Sequence, residues 1–477
     1  MKKIVLIAIA VFFTSTFSYT QIGVDATKSH LISKKDNKPF FWLADTGWEL
    51  FHRLNREEAT HYLETRAKQK FNVVMAVALA ELNGLEEPNA YGHLPFKDLE
   101  TLEWAVTLGN DPNINGEYDY WDHMDFIIQE AARREIYIGL LPTWGDKVAY
   151  NWGEGPMIFN NNPGKAYEYT KKLTERYKDQ WNIIWIVGGD RPVIYEREGK
   201  NHDDRPIWRA MAKAIEDTYG KNVFIAFHPE TRQQTSVYLS DEEWLDMYTL
   251  QSGHSYREST PWEKIINDMN KVPKRPVMDI EPCYEEHPVR IWDPVDKWTP
   301  EGQGYFDAYD VRVRIYRNVF AGAAGTAYGH HHVWQFVDTT KHTPINLGEK
   351  TMVGWQKAIA SEGAGQMRHL KDLIYSRSFF NRVKDNSMIV SDQGSDYRDE
   401  ILASRDKEGR HIMIHIPCNK PITIDFDQLK NGRKRVSWFN PATGKQKKVW
   451  KSFRNGTRTF TPPDTRQKDW VLIIDRK

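Results

Sequence analysis

Cysteine is nearly absent from this 477-residue chain: only Cys283 and Cys418 occur. One pair is no disulfide framework, and both read as free thiols. Charge of one sign is absent too. Lys plus Arg and Asp plus Glu number 65 each, so there is no basic field to recruit nucleic acid. Long apolar runs are missing beyond the N-terminus, which excludes an integral membrane segment in the mature chain. The terminus reads Met1-Lys2-Lys3, an apolar stretch from Ile4 to Phe13, then Thr14-Ser15-Thr16 and small or polar residues to Gln21. That stretch is shorter than the roughly 20 residues a bilayer requires, so residues 1–21 read as a secretory signal peptide. No cysteine near its end offers a lipoprotein anchor. Export to the periplasm or beyond is expected.

Two carboxylates at the ends of apolar runs stand out. Ile183-Ile184-Trp185-Ile186-Val187-Gly188-Gly189 delivers Asp190, and Pro276-Val277-Met278-Asp279-Ile280 delivers Glu281 before Pro282. Each run reads as a buried strand that stops at its acid. In a parallel α/β enzyme, polar groups at carboxyl ends of strands do the chemistry. Two such acids are the minimum equipment for breaking a glycosidic bond. Taken singly, each acid reads equally well as a capped or salt-bridged strand end.

Both runs belong to a repeat. Strand candidates start at Phe40, Phe71, Tyr137, Ile183, Val223, Met247, Pro276 and Gly325, with amphipathic helices between them. Asn55 with Glu58 reads as a capping box, and Met124, Ile127, Ile128 and Ala131 follow helical spacing. A last helix is expected over roughly 353–373. Eight repeats predict a (β/α)8 TIM barrel over 22–376, with a long substrate-facing insertion from Glu81 to Asp119. After residue 377 short β-rich stretches alternate with Asn431-Gly432, Asn440-Pro441 and Thr443-Gly444 turns, which predicts a small antiparallel β-sandwich over 377–477. It is expected to pack on the barrel as a structural partner.

The strand ends carry the candidate substrate contacts. They are Asp45 and Trp48, Trp144 and Asp146, His228, His254, and His330 with Trp334. Eighteen tryptophans and 22 tyrosines favour sugar rings, whose apolar faces stack on aromatics, though such residues also fill cores. Asp279 shares a strand face with Glu281 and reads as a buried support. His330 and His332, with Asp190, could instead form a metal site. No H-x-H or H-E-x-x-H motif accompanies the first strand, so hydrogen-bonded histidines around sugar hydroxyls are the preferred reading. No metal or cofactor is expected.

Several motifs together resemble one family. Leu43-Ala44-Asp45-Thr46-Gly47-Trp48, Phe71-Asn72-Val73-Val74-Met75, Leu141-Pro142-Thr143-Trp144-Gly145 and Val187-Gly188-Gly189-Asp190-Arg191-Pro192 are similar to the apiosidase family of glycoside hydrolases. Trp438-Phe439-Asn440-Pro441-Ala442-Thr443-Gly444 and Asp469-Trp470-Val471-Leu472 resemble its C-terminal domain, which carries a collagen-binding label. The resemblance implies a retaining clan A barrel with the acid/base after strand four and the nucleophile after strand seven. These positions map onto Asp190 and Glu281. Most of that clan has Asn-Glu after strand four; the family shares the aspartate found here. The expected activity is exo-cleavage of plant or algal cell-wall oligosaccharides, releasing apiose or another monosaccharide. A non-catalytic glycan-binding protein, an endo-acting hydrolase and a metallohydrolase are the alternatives. A retaining mechanism requires the two carboxyl groups to lie about 5–5.5 Å apart.

Overall fold

The computed structural model describes residues 22–149, 156–293, 295, 297–345 and 352–477. The expected signal peptide lies outside them. Eight strands alternate with helices: Trp42–Thr46, Val73–Val77, Tyr137–Leu141, Ile183–Gly188, Ile225–His228, Tyr248–Leu250, Val277–Asp279 and Gly325–Tyr328. They are called here the first to the eighth parallel strand. The eighth, first, second, third, fourth and fifth form one parallel sheet, and the sixth pairs in parallel with the seventh. The expected single eight-stranded ladder is thus found as a six-stranded sheet and a two-stranded one. Backbone bonds flank the two gaps, from Asp246 N–H to Ile225 O at 3.0 Å and from Ala324 N–H to Val277 O at 2.9 Å.

Alternation along the strands sorts the side chains into two cores. Trp42, Val73, Met75, Leu141, Ile184, Ile186, Ala226, Met278 and Ala327 meet in an inner cluster. Val74, Ile138, Trp185, Ile225, Tyr248 and Val277 face the surrounding helices. Both faces are covered, which is why these strands read as continuous apolar runs. The Asn55–Glu58 capping box opens the helix Arg56–Lys68. The last expected helix is two pieces, Trp355–Ala358 and Glu362–Tyr375.

The insertion after the second strand is less open than expected. It contains a small antiparallel pair, Phe96–Asp98 with Glu103–Trp104. Trp104 stacks on Trp121 of the helix Tyr120–Arg133, with ring centroids 3.6 Å apart. That stacking pins the middle of the insertion to the helical layer. Its first residues, near Glu81, stay at the strand ends.

The C-terminal region is a six-stranded antiparallel sheet in the order Arg382–Lys384, Leu402–Asp406, His411–Ile416, Trp470–Arg476, Lys434–Phe439, Gln446–Phe453. A two-stranded ladder, Ile422–Asp425 with Thr457–Phe460, lies against one of its faces. Ile412, Ile414, Val436, Leu472 and Ile474 meet Ile422, Ile424 and Phe460 there. Leu402, Met413, Val471 and Ile473 on the other face join the core of the parallel-strand domain. The helix Ala308–Ala321 supplies much of that junction.

One buried ion pair fixes the junction. Arg312 Nε and Nη2 reach the two Asp469 oxygens at 3.0 and 2.7 Å. Asp469 is fully buried, and burial alone would raise its pKa. Arg312 and His415 outweigh that effect and hold it at about 2. Its folded pKa lies below the ordinary 3.8, so folding favours the charged form. The resulting stabilisation is complete above the ordinary carboxylate range and is lost as pH falls toward 2. Asp469→Asn leaves Arg312 buried without its counter-charge and should cost about 3 kcal/mol. Calorimetric melting checks this: a Tm lowered at pH 7, with the gap from the unaltered protein closing toward pH 2, is expected.

Candidate active site

The fourth strand ends in a backbone that few residues adopt. Gly188 and Gly189 have φ of +97° and +133°, and Asp190 follows at +44°. A side chain on Gly188 would strike the His228 carbonyl at 2.3 Å, and one on Gly189 would strike Gly145 N at 2.7 Å. Glycine is therefore required at both positions, and aspartate is among the few other residues that tolerate a left-handed φ. The register pairs His228 with Gly188, and Gly189 N–H donates to His228 O at 3.0 Å. This brings the end of the fifth strand against Asp190.

His228 then touches both acids. Asp190 N–H donates to its Nδ1 at 3.2 Å, and its Nε2 lies 2.8 Å from Glu281 Oε2. The ring N–H is not well aligned with that oxygen, so the contact is better described as electrostatic than as a linear hydrogen bond. Tyr284 Oη donates to Glu281 Oε1 at 2.6 Å and accepts from Trp48 Nε1 at 2.9 Å. Tyr284 reaches this position because residue 329 is glycine: a Cβ there would meet the tyrosine ring at 2.1 Å. The His254 ring lies against Tyr284 with centroids 4.6 Å apart and planes at 31°, and its Nδ1 is 4.0 Å from Glu281 Oε1.

These surroundings separate the two carboxyls. Burial and the neighbouring Glu281 charge push Asp190 well above its ordinary pKa, against the pull of Arg191 and the Thr231 N–H that donates to Oδ1 at 2.9 Å. Burial also pushes Glu281 upward, but His228, His254 and Tyr284 outweigh it and hold that acid below its ordinary value. Beneath it, Asp279 accepts from Ser252 and Asn318, and burial raises it to about 6.

The aromatic candidates form the floor of the site. Trp48 and Trp144 lie 5.0 Å apart, each 5.3 Å from His228, and both are buried. Trp144 Nε1 and one oxygen of Asp146 have no hydrogen-bond partner among the described residues, which suits both to a substrate hydroxyl or water. The other Asp146 oxygen pairs with buried Lys147 at 2.8 Å. Trp334 is half-buried against the inner cluster.

Asp45 and His330 are placed differently. Asp45 is fully buried, 2.7 Å from Arg66 Nε and bonded to the Tyr62 hydroxyl. His330 caps the short helix His331–Trp334 and, with His332, faces Glu286 at 3.4 and 3.2 Å. The histidine pair therefore meets Glu286, not Asp190. His330 Nδ1 accepts the His332 backbone N–H at 3.1 Å, so its proton sits on Nε2, the atom facing Glu286. Among the described residues, Glu286, His330 and His332 form one group whose possible ligand atoms all lie within 4.8 Å of one another. Sequence reasoning missed Tyr284, Glu81 and Arg191. No spacing rule marks them, because the turn after Pro282 and the close approach of neighbouring loops decide their positions.

Residues 26–381 match the model of the apiosidase-like catalytic domain. The chain belongs to the apiosidase-like family. Residues 383–475 match a "Putative collagen-binding domain of a collagenase". A solved structure described as a glycoside hydrolase is 30% identical, with a TM-score of 0.81 over 96% of this chain and 98% of its own. A glycoside hydrolase family 5 structure from Bacteroides vulgatus ATCC 8482 is also 30% identical, with a TM-score of 0.80 over 96% and 93%. No curated protein matches the chain. Glycoside hydrolysis is the activity class of this apiosidase-like domain.

Tyr284→Phe deletes one charge-assisted hydrogen bond to Glu281 and should raise that acid's pKa. The pH dependence of kcat/KM checks it. The acidic limb is expected to move upward, and a limb unmoved by the substitution would remove Tyr284 from the control of Glu281.

Proposed function

We propose that the protein is a retaining, exo-acting glycoside hydrolase that releases a terminal sugar, apiose or another monosaccharide, from plant or algal cell-wall oligosaccharides. One observation carries the mechanism: two neighbouring carboxyls whose surroundings drive their ionisation in opposite directions. Such a division assigns acid and base roles. Glu281, held ionised, attacks the anomeric carbon. Asp190, held protonated, gives its proton to the leaving oxygen and then takes one from the incoming water. The exo reading is taken from the family resemblance. The choice of apiose rests on the family resemblance alone.

The same proposal takes the six-stranded and two-stranded parallel sheets as one closed barrel, supported by the inner cluster, to which seven of the strands contribute and Met247, just before the sixth strand, adds a side chain. The C-terminal sheet and ladder are taken as a sandwich around their shared core. Export through residues 1–21 is part of the reading, as the substrates lie outside the cell.

Two substitutions separate the roles. Glu281→Gln is nearly isosteric and should abolish turnover while leaving Tm almost unchanged. Asp190→Asn should lower kcat on an unactivated glycoside by about 10²–10⁴-fold, and far less on an aryl glycoside whose leaving group needs no proton. Digestion of pectic and algal oligosaccharide pools with product identification tests the substrate. Activity retained by Glu281→Gln would defeat the mechanism, and binding without any product would favour a glycan-binding role.

A further inference from the structure

The equal totals of acid and base conceal an uneven division. Residues 401–477 hold 18 Lys and Arg against seven Asp and Glu, whereas residues 1–400 hold 47 against 58. A basic field absent from the chain's totals is therefore present in its C-terminal part. Such a field attracts a polyanion.

Backbone pairing gathers many of these cations at one end of the six-stranded antiparallel sheet. Arg476 N–H donates to Arg410 O and Lys477 N–H to Arg433 O, both at 2.8 Å. Lys434 is in register with Arg476 on one side and Phe453 on the other, and its Nζ donates to Arg454 O at 2.8 Å. A cavity of about 70 Å³ opens there, lined by Arg405, Lys407, Arg410, Lys430, Lys434 and Arg476 and by no acid. Arg410 is paired with Asp406 and Glu408, and Arg405 with Asp385. Lys407, Lys430, Arg433, Arg454 and Arg476 are exposed and form no ion pair among the described residues. Burial and the Arg476 charge lower the Lys434 pKa, against the pull of Asp427. Like charges held together in this way repel, and a bound anion relieves the repulsion.

This end of the sheet lies away from the candidate active site. Arg382, in register with Asp406, donates through Nη2 to Ala323 O at 3.0 Å, just before the eighth parallel strand begins. The opposite end of the sheet, past Ile416, receives a bond from Tyr309 Oη to Pro417 O at 2.7 Å, at the start of the helix Ala308–Ala321. The cations thus sit toward the amino ends of the parallel strands, whereas Asp190 and Glu281 stand at the carboxyl ends. A polymer held there leaves the acids uncovered.

We infer that this end of the C-terminal sheet binds an acidic glycan, a polysaccharide bearing carboxylate or sulfate groups. The cavity is far below the roughly 300 Å³ of the smallest common small-molecule sites, so it takes one anionic group and not a sugar ring. The exposed cations around it take groups on neighbouring sugar units. Their attraction reaches about 10 Å at 0.1 M salt, so cations on separate loops act on one glycan chain. The choice of a glycan over nucleic acid follows from the glycoside hydrolase class of the attached domain. It does not depend on the proposed mechanism or released sugar.

The full-length protein is tested for binding to polygalacturonate, a sulfated galactan, neutral dextran and double-stranded DNA. Binding to the carboxylated or the sulfated glycan that weakens as salt is raised, with none to dextran, is expected, and the better of the two names the anionic group. The triple variant Lys407→Gln, Lys430→Gln, Arg476→Gln should raise that Kd tenfold or more. Lys68→Gln, Lys178→Gln, Lys221→Gln, the same charge change at exposed positions on the other domain, should raise it less than twofold. Glu281→Gln should bind like the unaltered protein, which keeps this test separate from the hydrolase mechanism. No binding to either acidic glycan, equal losses in the two triple variants, or tighter binding to DNA than to both glycans overturns the inference.

Discussion

Everything in the site depends on where His228 is held. Its ring accepts the backbone N–H of one acid and stands 2.8 Å from the carboxylate of the other. Strand pairing sets this position: His228 is in register with Gly188, so the fourth and fifth strands end together. Its Nδ1 accepts the Asp190 N–H and lies 3.1 Å from the Pro229 carbonyl, while its Nε2 faces Glu281. Trp48 and Trp144 pack around the ring and prevent it from turning. The placement of Asp190 relative to His228 is thereby set by sheet geometry.

Around this centre the charges form a graded network. Arg191 Nη1 donates to Asp190 O at 2.9 Å and Nη2 to Glu81 Oε1 at 3.3 Å. Burial, with Arg191 pulling the other way and Asp146 adding to it, raises Glu81 to about 7. Lys147 is buried between Asp146 and the Ala80 carbonyl. The arginine beside Asp190 is thus partly neutralised by Glu81, which limits how far it can pull the acid's proton away. Glu281 faces no comparable carboxylate shield and is surrounded by histidines and a tyrosine hydroxyl. The opposite ionisation of two similar side chains follows from this difference in company.

How much of this was legible in the sequence depended on the range of the interaction involved. The eight parallel strands were visible because each buries both faces and leaves an uninterrupted apolar run. Asp190 and Glu281 were visible because each ends such a run. Gln446–Phe453 was missed as a strand because it carries three lysines at an edge of the sheet, where no apolar pattern is required. Asp45 has the same strand-end signature as Asp190, yet its carboxyl meets Arg66, a helix residue 21 positions later. Which strand-end acid is tied up by a neighbour is a tertiary fact, and local pattern does not contain it.

The C-terminal sheet packs on the parallel-strand domain, as its expected role of structural partner requires. Its strands look like an independent unit, with apolar residues on alternating positions. Independent folding would leave one face wet, and that face holds Met413, Val471 and Ile473. These residues lie in the core of the parallel-strand domain, and Asp469 beside them neutralises Arg312 on the helix Ala308–Ala321. Arg314, two residues along that helix, donates to Gly253 O at 3.0 Å, and Gly253 N–H donates to Glu281 O at 2.9 Å. Asn318, further along, donates to Asp279 beneath the site. The helix therefore has one side on the C-terminal sheet and another on the backbone that presents Glu281. A shift in the docked sheet would move a helix that the backbone presenting Glu281 leans on, so the second domain is mechanically continuous with the candidate site.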